Sequence, residues 1–356
     1  MALHDLWHFE NSPQGLNLST AVYGTAYSAN TIYNQYTGNL VGQPMSNASN
    51  TFQVTSDGFL SLVNNASGQA GALVVPLNAV QDWSVATQYW FGFRRKITVA
   101  LGGAPWLILI SNNTSYGAYT TLLTDAMMAA VNLNNVGVEY YIEVFMDRTA
   151  LTFQVYCGNV LVNSGALNSS TTLSGAGYLS FGPIANGMAA GGAAGYRDFY
   201  FLDVDATTPG RLGALRAKAT TVASVSGSEW VAQGAADIPT ALNTAMTNPP
   251  TATPNALSPL DNQPLSIQMA TTITDSGSKI VAVQPAATFQ GGSGNLAKMN
   301  ASFKDASSNT TALGQLVAAS GLAVNQRLPF TTKAPDGTAW TAAKINQSQY
   351  VLTPTS

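Results

Sequence analysis

The chain has 356 residues, enough for roughly two domains that each bury a core without disulfide or metal staples. Charged residues make up only 9%, against about 25% in an ordinary soluble domain, and 14 Lys+Arg face 17 Asp+Glu for a net charge of −3. That balance excludes the basic footprint of a nucleic-acid binder, no run is long enough to cross a bilayer as a helix, and six Trp, 14 Tyr and 13 Phe supply too much core material for a disordered chain.

Strand patterns dominate in chain order. The opening MALHDLWHFE reads as a strand and has neither the basic start nor the apolar core of a signal peptide. FQVTSDGFLSLV, GALVVPL, WFGFRRKITVAL and APWLILISNN follow as short apolar or period-two runs bounded by turn residues. The basic cluster Arg94-Arg95-Lys96 falls inside the third of these and is expected at an edge or interface. TTLLTDAMMAAVNLNN is the best helical candidate of the first half. From Val138 to Val162 the alternation is clearest. Tyr140, Ile142, Val144 and Met146 share one face, and Glu139, Tyr141, Glu143 and Phe145 share the other. Asp147-Arg148-Thr149 reads as a turn, then Leu151, Phe153, Val155 and Cys157 form the next inward row. Gly158-Asn159 is a tight hairpin turn into Val160-Leu161-Val162. GYLSFGP and YRDFYFLDV complete this half, and the glycine clusters Gly187 to Gly195 and Gly291 to Gly294 read as mobile loops. They lack the Lys-Ser/Thr of a phosphate cradle.

Composition shifts after Val204, where DATTPGRLG has the punctuation of a linker. The expected domains are 1–207 and 208–356. In the second, NPPTATPNALSPLDNQP reads as an extended loop, LSIQMATTI, SKIVAVQPAATFQ, NLAKMNASFKDA, LPFTTKA and QYVLTPTS as strands, and TAWTAAKINQ as one short helix. ATTVASV is too β-branched to read as helix. The expected class is all-β, a sandwich followed by a second, smaller β-sandwich.

Few residues could carry chemistry. His4 and His8 are the only histidines; four apart on a strand they stand about 13 Å from one another, too far to share a metal. Any Ser-His-Asp or Cys-His site would have to draw on them. Cys157 lies on an apolar row and reads as a small buried residue. Glu139, Glu143 and Asp147 point to one strand face, again about 13 Å apart in succession, wider than a glycosidase pair needs. They read as a solvated outer face. Glycan binding requires exposed rings with amide or carboxylate partners. Trp83, Tyr89, Trp90, Trp106 and Tyr116 with Asp82, Asn112 and Asn113 form the candidate set. No catalytic residue, metal or cofactor is expected.

So few charges mean a surface wetted by neutral Ser, Thr, Asn and Gln, and the single cysteine allows no disulfide framework. An exterior-type surface without disulfides fits a protein folded in the cytoplasm and released in a particle.

The first two hundred residues resemble a laminin-G or concanavalin A-like jelly roll, through LWHFE, SDGFLSLV and YYIEVFMDRTALTFQVYCGNVLVNSG followed by FGP. YRDFYFLDVDATTPGRLGALRAK is similar to the end of this domain in virion proteins of tailed bacteriophages, and TKAPDGTAWTAAKINQ resembles the element closing their second domain. Ala214-Leu215 departs from the acidic residue and Val usual there. The resemblance implies a non-enzymatic virion structural protein, tail-associated as fibre, tail tip or collar, with a jelly roll as outward binding module and a second domain for attachment or oligomerisation. Its expected partners are other virion proteins, copies of itself and a host-surface glycan, with no nucleic acid and no membrane insertion. The alternatives are a head decoration protein and a carbohydrate-binding or glycoside-hydrolase jelly roll.

Overall fold

In the computed structural model the described residues are 2–7, 32–34, 39–46, 50–55, 57, 59–64, 71–76, 87–99, 105–110, 119–167, 178–182, 192–204, 211–214, 220–227, 229–243, 255–257, 263–270, 279–290, 297–318, 323–328 and 331–355. The chain divides into two compact units, one of residues 1–34 with 39–218 and one of residues 35–38 with 219–356.

The first unit is built from β1 (Ala2–Trp7), β2 (Ile32–Asn34), β3 (Asn39–Ser46), β4 (Asn50–Val54), β5 (Leu60–Asn64), β6 (Gly71–Pro76), β7 (Gln88–Val99), β8 (Pro105–Ile110), β9 (Tyr119–Thr124), β10 (Glu139–Asp147), β11 (Thr152–Cys157), β12 (Val160–Ala166), β13 (Tyr178–Phe181) and β14 (Ala193–Asp203). One antiparallel sheet runs β12-β11-β10-β7-β14-β5-β4 with β1 also paired to β14; the other runs β2-β3-β6-β13-β8-β9. Period-two alternation decides which residues lie between them. Along β7 the odd positions Tyr89, Phe91, Phe93, Arg95 and Ile97 are all buried. Phe93 meets Trp106 of β8 edge-on at 6.3 Å and Phe181 of β13 at 5.0 Å, and Phe181 meets Phe199 of β14 at 5.1 Å. These rings join the sheets into a jelly-roll sandwich, and removing their area from water supplies the main drive for the packing.

The hairpin reading of β10, β11 and β12 holds. Ile142 pairs Cys157, Val144 pairs Val155 and Met146 pairs Phe153, all buried, and Gly158 turns the chain with φ +57°. Other expectations are corrected. Arg94, Arg95 and Lys96 do not sit at an edge, because β7 lies between β10 and β14. TTLLT is strand β9; helix α1 (Asp125–Ala130) starts only after Thr124, whose side chain accepts from Met127 N at 3.1 Å as an N-cap. The β-branched threonines outweigh the helical spacing of the apolar residues. Gly195 is not in a loop but in β14, where an added Cβ would come within 2.9 Å of Phe59. The strand at the amino terminus is present, with a register shift between Leu3 and Asp5; His8, Gly187 to Gly191 and Gly291 to Gly294 lie outside the described residues.

The second unit holds β15 (Val222–Ser226), β16 (Val231–Gln233), β17 (Asn255–Leu257), β18 (Leu265–Met269), β19 (Ala286–Gln290), β20 (Ala297–Lys304), β21 (Thr310–Ala318), β22 (Ala323–Arg327) and β23 (Gln349–Thr355). A five-stranded sheet, β15-β18-β23-β20-β21, is joined by the pairs β16-β17 and β19-β22. Its core gathers Trp230, Leu265, Ile267, Phe303, Leu316, Trp340 and Tyr350. Helix α2 (Ile238–Asn243) had no clear signal in the sequence, whereas α3 (Ala342–Gln347) falls where it was expected. Of LPFTTKA the described residues are 328 and 331–334, and none of these lies in a strand: Thr331 and Lys333 make isolated bridges, while β21 and β22, earlier in the chain, carry the strand pairing. The edge of β15 is closed locally by Asn243, whose amide accepts from Val222 N and donates to Val222 O, both at 2.7 Å. The whole is all-β with short helices.

Candidate functional site

The outer face of the larger sheet of the first unit, away from the sandwich interior, carries the carboxylates and rings that could have made a cleft. Its geometry begins at Gly92. A glycine between aromatic residues in a central strand marks a close approach, and here the Tyr200 ring occupies the place of a side chain. A Cβ on Gly92 would stand 2.1 Å from Tyr200 Cε1 and 2.9 Å from the Tyr141 hydroxyl oxygen. Tyr200 can therefore lie flat across β7 and reach Glu143 of β10, donating to Oε1 at 2.7 Å. Burial pushes the Tyr200 phenol upward, and the neighbouring Tyr141 and the Glu143 carboxylate push it further.

Glu143 is 1% exposed, not solvated as its strand position suggested. The segment 211–214 covers it. Gly213 N donates to Glu143 Oε1 at 3.1 Å, and Arg211 Nε stands 3.5 Å from Oε2. Arg211 is itself fixed by donating to Gly158 O and Asn159 Oδ1, and its guanidinium lies 4.6 Å from the centroid of the Tyr156 ring. Leu212 packs with Phe145, Tyr156 and Val204 against Trp90, Tyr141, Tyr200 and Leu202. Around Glu143 the face is closed by a strap of its own chain.

Next to it lies an ion network. Glu139 accepts from Arg94 and from Arg197, each at 2.5 Å, and Arg94 Nε stands 3.2 Å from Asp198 Oδ2. Asp198 reaches this face because it sits at φ +53° within an irregularity of β14 between Arg197 and Tyr200. Burial alone would raise the Glu139 carboxyl, but the Arg94 hydrogen bond and the charges of both arginines hold it below the usual range. Lys96 pairs Asp57 at 3.0 Å. Asp147, the third carboxylate of the strand, caps the turn, accepting from Thr149 N and Ala150 N at 2.8 Å and from Gln88 at 2.7 Å. The three carboxylates are each held by donors within the fold. No cluster of metal-ligating side chains occurs among the described residues.

Of the expected glycan set, the three described members, Tyr89, Trp90 and Trp106, share no open face. Trp106 and Tyr89 face the sandwich interior at 0% and 1% exposure, while Trp90 faces outward beneath Phe145 and Tyr156. Buried rings have no open face for a sugar. Trp83, Asp82, Asn112, Asn113 and Tyr116 lie outside the described residues. Cys157 is buried and its thiol is pushed up to about 11 by burial, which outweighs the charge of Arg95. Among the participants that sequence reading did not single out are Gly92, Tyr200 and Arg211. The first carried a usable signal, glycine within a strand; the other two meet Glu143 across 57 and 68 positions, separations to which no local period points.

No protein-family model matches the sequence, and no curated protein matches it. Among solved structures, a sialidase is similar over 45% of this chain and 16% of its own length, at 9% identity and a TM-score of 0.31. This chain thus spans a small part of that enzyme. Domain 4 of AbnA, a GH43 extracellular arabinanase from Geobacillus stearothermophilus, in complex with arabinotriose, is similar over 56% of this chain and 92% of its own, at 10% identity and a TM-score of 0.31. Peanut lectin is similar over 45% and 91%, at 14% identity and a TM-score of 0.30. The all-β sandwich stands on the sheets themselves.

Proposed function

We propose that this chain is a non-enzymatic structural protein of a tailed-bacteriophage particle, tail-associated, in which the jelly roll is a docking module and the second unit an attachment or oligomerisation domain. The observation that carries the non-enzymatic part is the engagement of all three outer-face carboxylates of β10 by donors within the fold. Cleaving a glycosidic bond needs two carboxyl groups facing one substrate, one able to hold a proton and one to attack or activate water. Glu143 is instead enclosed by Tyr200, Gly213 and Arg211, Glu139 is ion-paired twice, and Asp147 caps a turn. The particle part is supported by the 9% charge content, which leaves a neutral polar surface, and by the sequence resemblance at YRDFYFLDVDATTPGRLGALRAK.

Purified particles imaged with a gold-tagged antibody against the chain test the proposal. Gold at the tail or collar is the expected result. Gold spread over the head makes it a decoration protein, and absence of label from intact and disrupted particles overturns the virion reading. Polysaccharide cleavage that disappears in Glu139→Gln or Glu143→Gln would overturn the non-enzymatic part. Specific retention of the full chain on a glycan array is the outcome that adds a host-surface glycan as partner.

A further inference from the structure

We infer that the interior of the first unit binds ordered water beside Arg95, as a built part of its core. Arg95 projects from the middle of β7 between the sheets and is 1% exposed, with its guanidinium carbon 3.7 Å from the centroid of the Trp106 ring. A guanidinium brings five N–H donors. One of them meets Asp125 Oδ1, from Nη2 at 2.8 Å, while Nε and Nη1 make no well-aligned hydrogen bond to protein. Two further groups share the spot. The indole Nε1 of Trp106, 0% exposed, has no protein acceptor, and the Tyr196 hydroxyl makes no well-aligned hydrogen bond, although the Arg95 guanidinium is near enough to act on it both as a charge and as a donor. The rings of Trp106 and Tyr196 lie 6.4 Å apart, both beside Phe93. Donors therefore outnumber acceptors at one fully enclosed place.

Buried N–H groups in folded proteins are almost always met, by protein or by water. Charge selects the occupant. Arg95 and Asp125 already cancel, so an added anion would leave an uncompensated negative charge sealed from solvent. A cation is repelled by a spot made of donors. What remains is a neutral acceptor small enough to sit among packed rings, which is water. Each molecule accepts from Arg95 or Trp106 and has protons to give to Tyr196 Oη or to the Asp125 carboxylate. In this way a guanidinium and an indole N–H are tolerated in a core that packs the rings of Phe91, Phe93, Phe181 and Phe199.

A crystal structure of the full chain, refined far enough to show ordered solvent, is the direct test, with water–protein NOEs in solution as the second. The expected result is solvent density within hydrogen-bond distance of Arg95 Nε or Nη1 and Trp106 Nε1, and an NOE of long-lived water to the indole proton that vanishes in Trp106→Phe. Density showing these nitrogens bonded to protein oxygens, or an indole proton without any water contact, overturns the inference. A bromide-soaked crystal adds a third arm: an anomalous peak at this spot would mean an anion site, and the water reading would fail.

Discussion

Removing Asp125 should strand a positive charge in the core of the first unit. Arg95 is 1% exposed and has one charge-assisted hydrogen bond, 2.8 Å long, to that carboxylate. Deleting one partner of a buried ion pair costs about 3–5 kcal/mol. The Trp106 face at 3.7 Å still holds the cation, and a desolvated contact of that kind contributes about 2 kcal/mol. The loss for Asp125→Ala is therefore set at the lower end, about 3 kcal/mol. Arg95→Met should be milder, at about 1–2 kcal/mol. It leaves the carboxylate in the first turn of α1, where unpaired backbone N–H groups favour a negative charge, and it fills the space with an apolar side chain. The double variant should be more stable than Asp125→Ala alone. Urea unfolding of the full chain, with midpoints converted through the slope of the first-unit transition, measures all three. If Arg95→Met costs more than Asp125→Ala, or the double variant is worse than either, the picture of a buried cation needing one counter-charge is wrong.

Four further outcomes follow from the same contacts. Gly92→Ala should destabilise the first unit by about 3 kcal/mol, because the new methyl meets the Tyr200 ring at 2.1 Å; a thermal midpoint unchanged from wild type would contradict it. Glu143→Ala removes the partner of Gly213 N and Arg211, so tryptic cleavage after Arg211 should quicken about tenfold, a release of about 1.4 kcal/mol; equal cleavage rates would mean that the strap is held by other contacts. Asp336 is held at about 2 by the Lys344 hydrogen bond and by Thr338 N, below the ordinary 3.8. Whatever stability it lends is thus present above pH 3.8 and disappears as pH falls through 2; in Lys344→Ala its carboxyl resonance should titrate nearer the ordinary value. Cys157, buried and raised to about 11, should react with a thiol reagent at pH 8 only after denaturation, and prompt labelling of the native chain would show that its strand opens.

Local period made some of this architecture legible and could not reach the rest. Val138 to Val162 read correctly because alternation, a turn and Gly158-Asn159 all specify one register, and β10, β11 and β12 adopt it. The same rule, applied strictly, separates Tyr89 from Trp90: neighbours on a strand face opposite ways, so they could not have shared a sugar-binding surface. It also places Arg95 in the row of Phe91, Phe93 and Ile97. What hides such a reading is the expectation that basic residues sit outside, which a cation–π contact and one carboxylate overturn. The strap was beyond reach for a different reason. Arg211 meets Glu143 only because β14 brings the chain back beside β7 and delivers residues 211–214 onto β10, a result of sheet order and not of any spacing.

The scarcity of charge has a structural consequence that links fold to assembly. Arg95, Asp125, Glu143, Arg197 and Asp198 are all buried, and Arg94 and Glu139 are mostly covered by the partners that bind them. The first unit uses part of its charge as internal staples between strands and between strand and strap, where each charge has an opposite charge beside it. Removing the carboxylate of such a pair is expensive because the buried cation is left stranded. With charge only 9% of the sequence, every charge so used is one fewer to wet the surface or to keep copies apart by repulsion at long range. This suits the proposed role in a particle, where a chain packed against its own kind needs no such repulsion. The Asn243 amide that closes the edge of β15 fits the same logic, since it blocks unplanned strand pairing with a neutral group where a lysine would otherwise be expected.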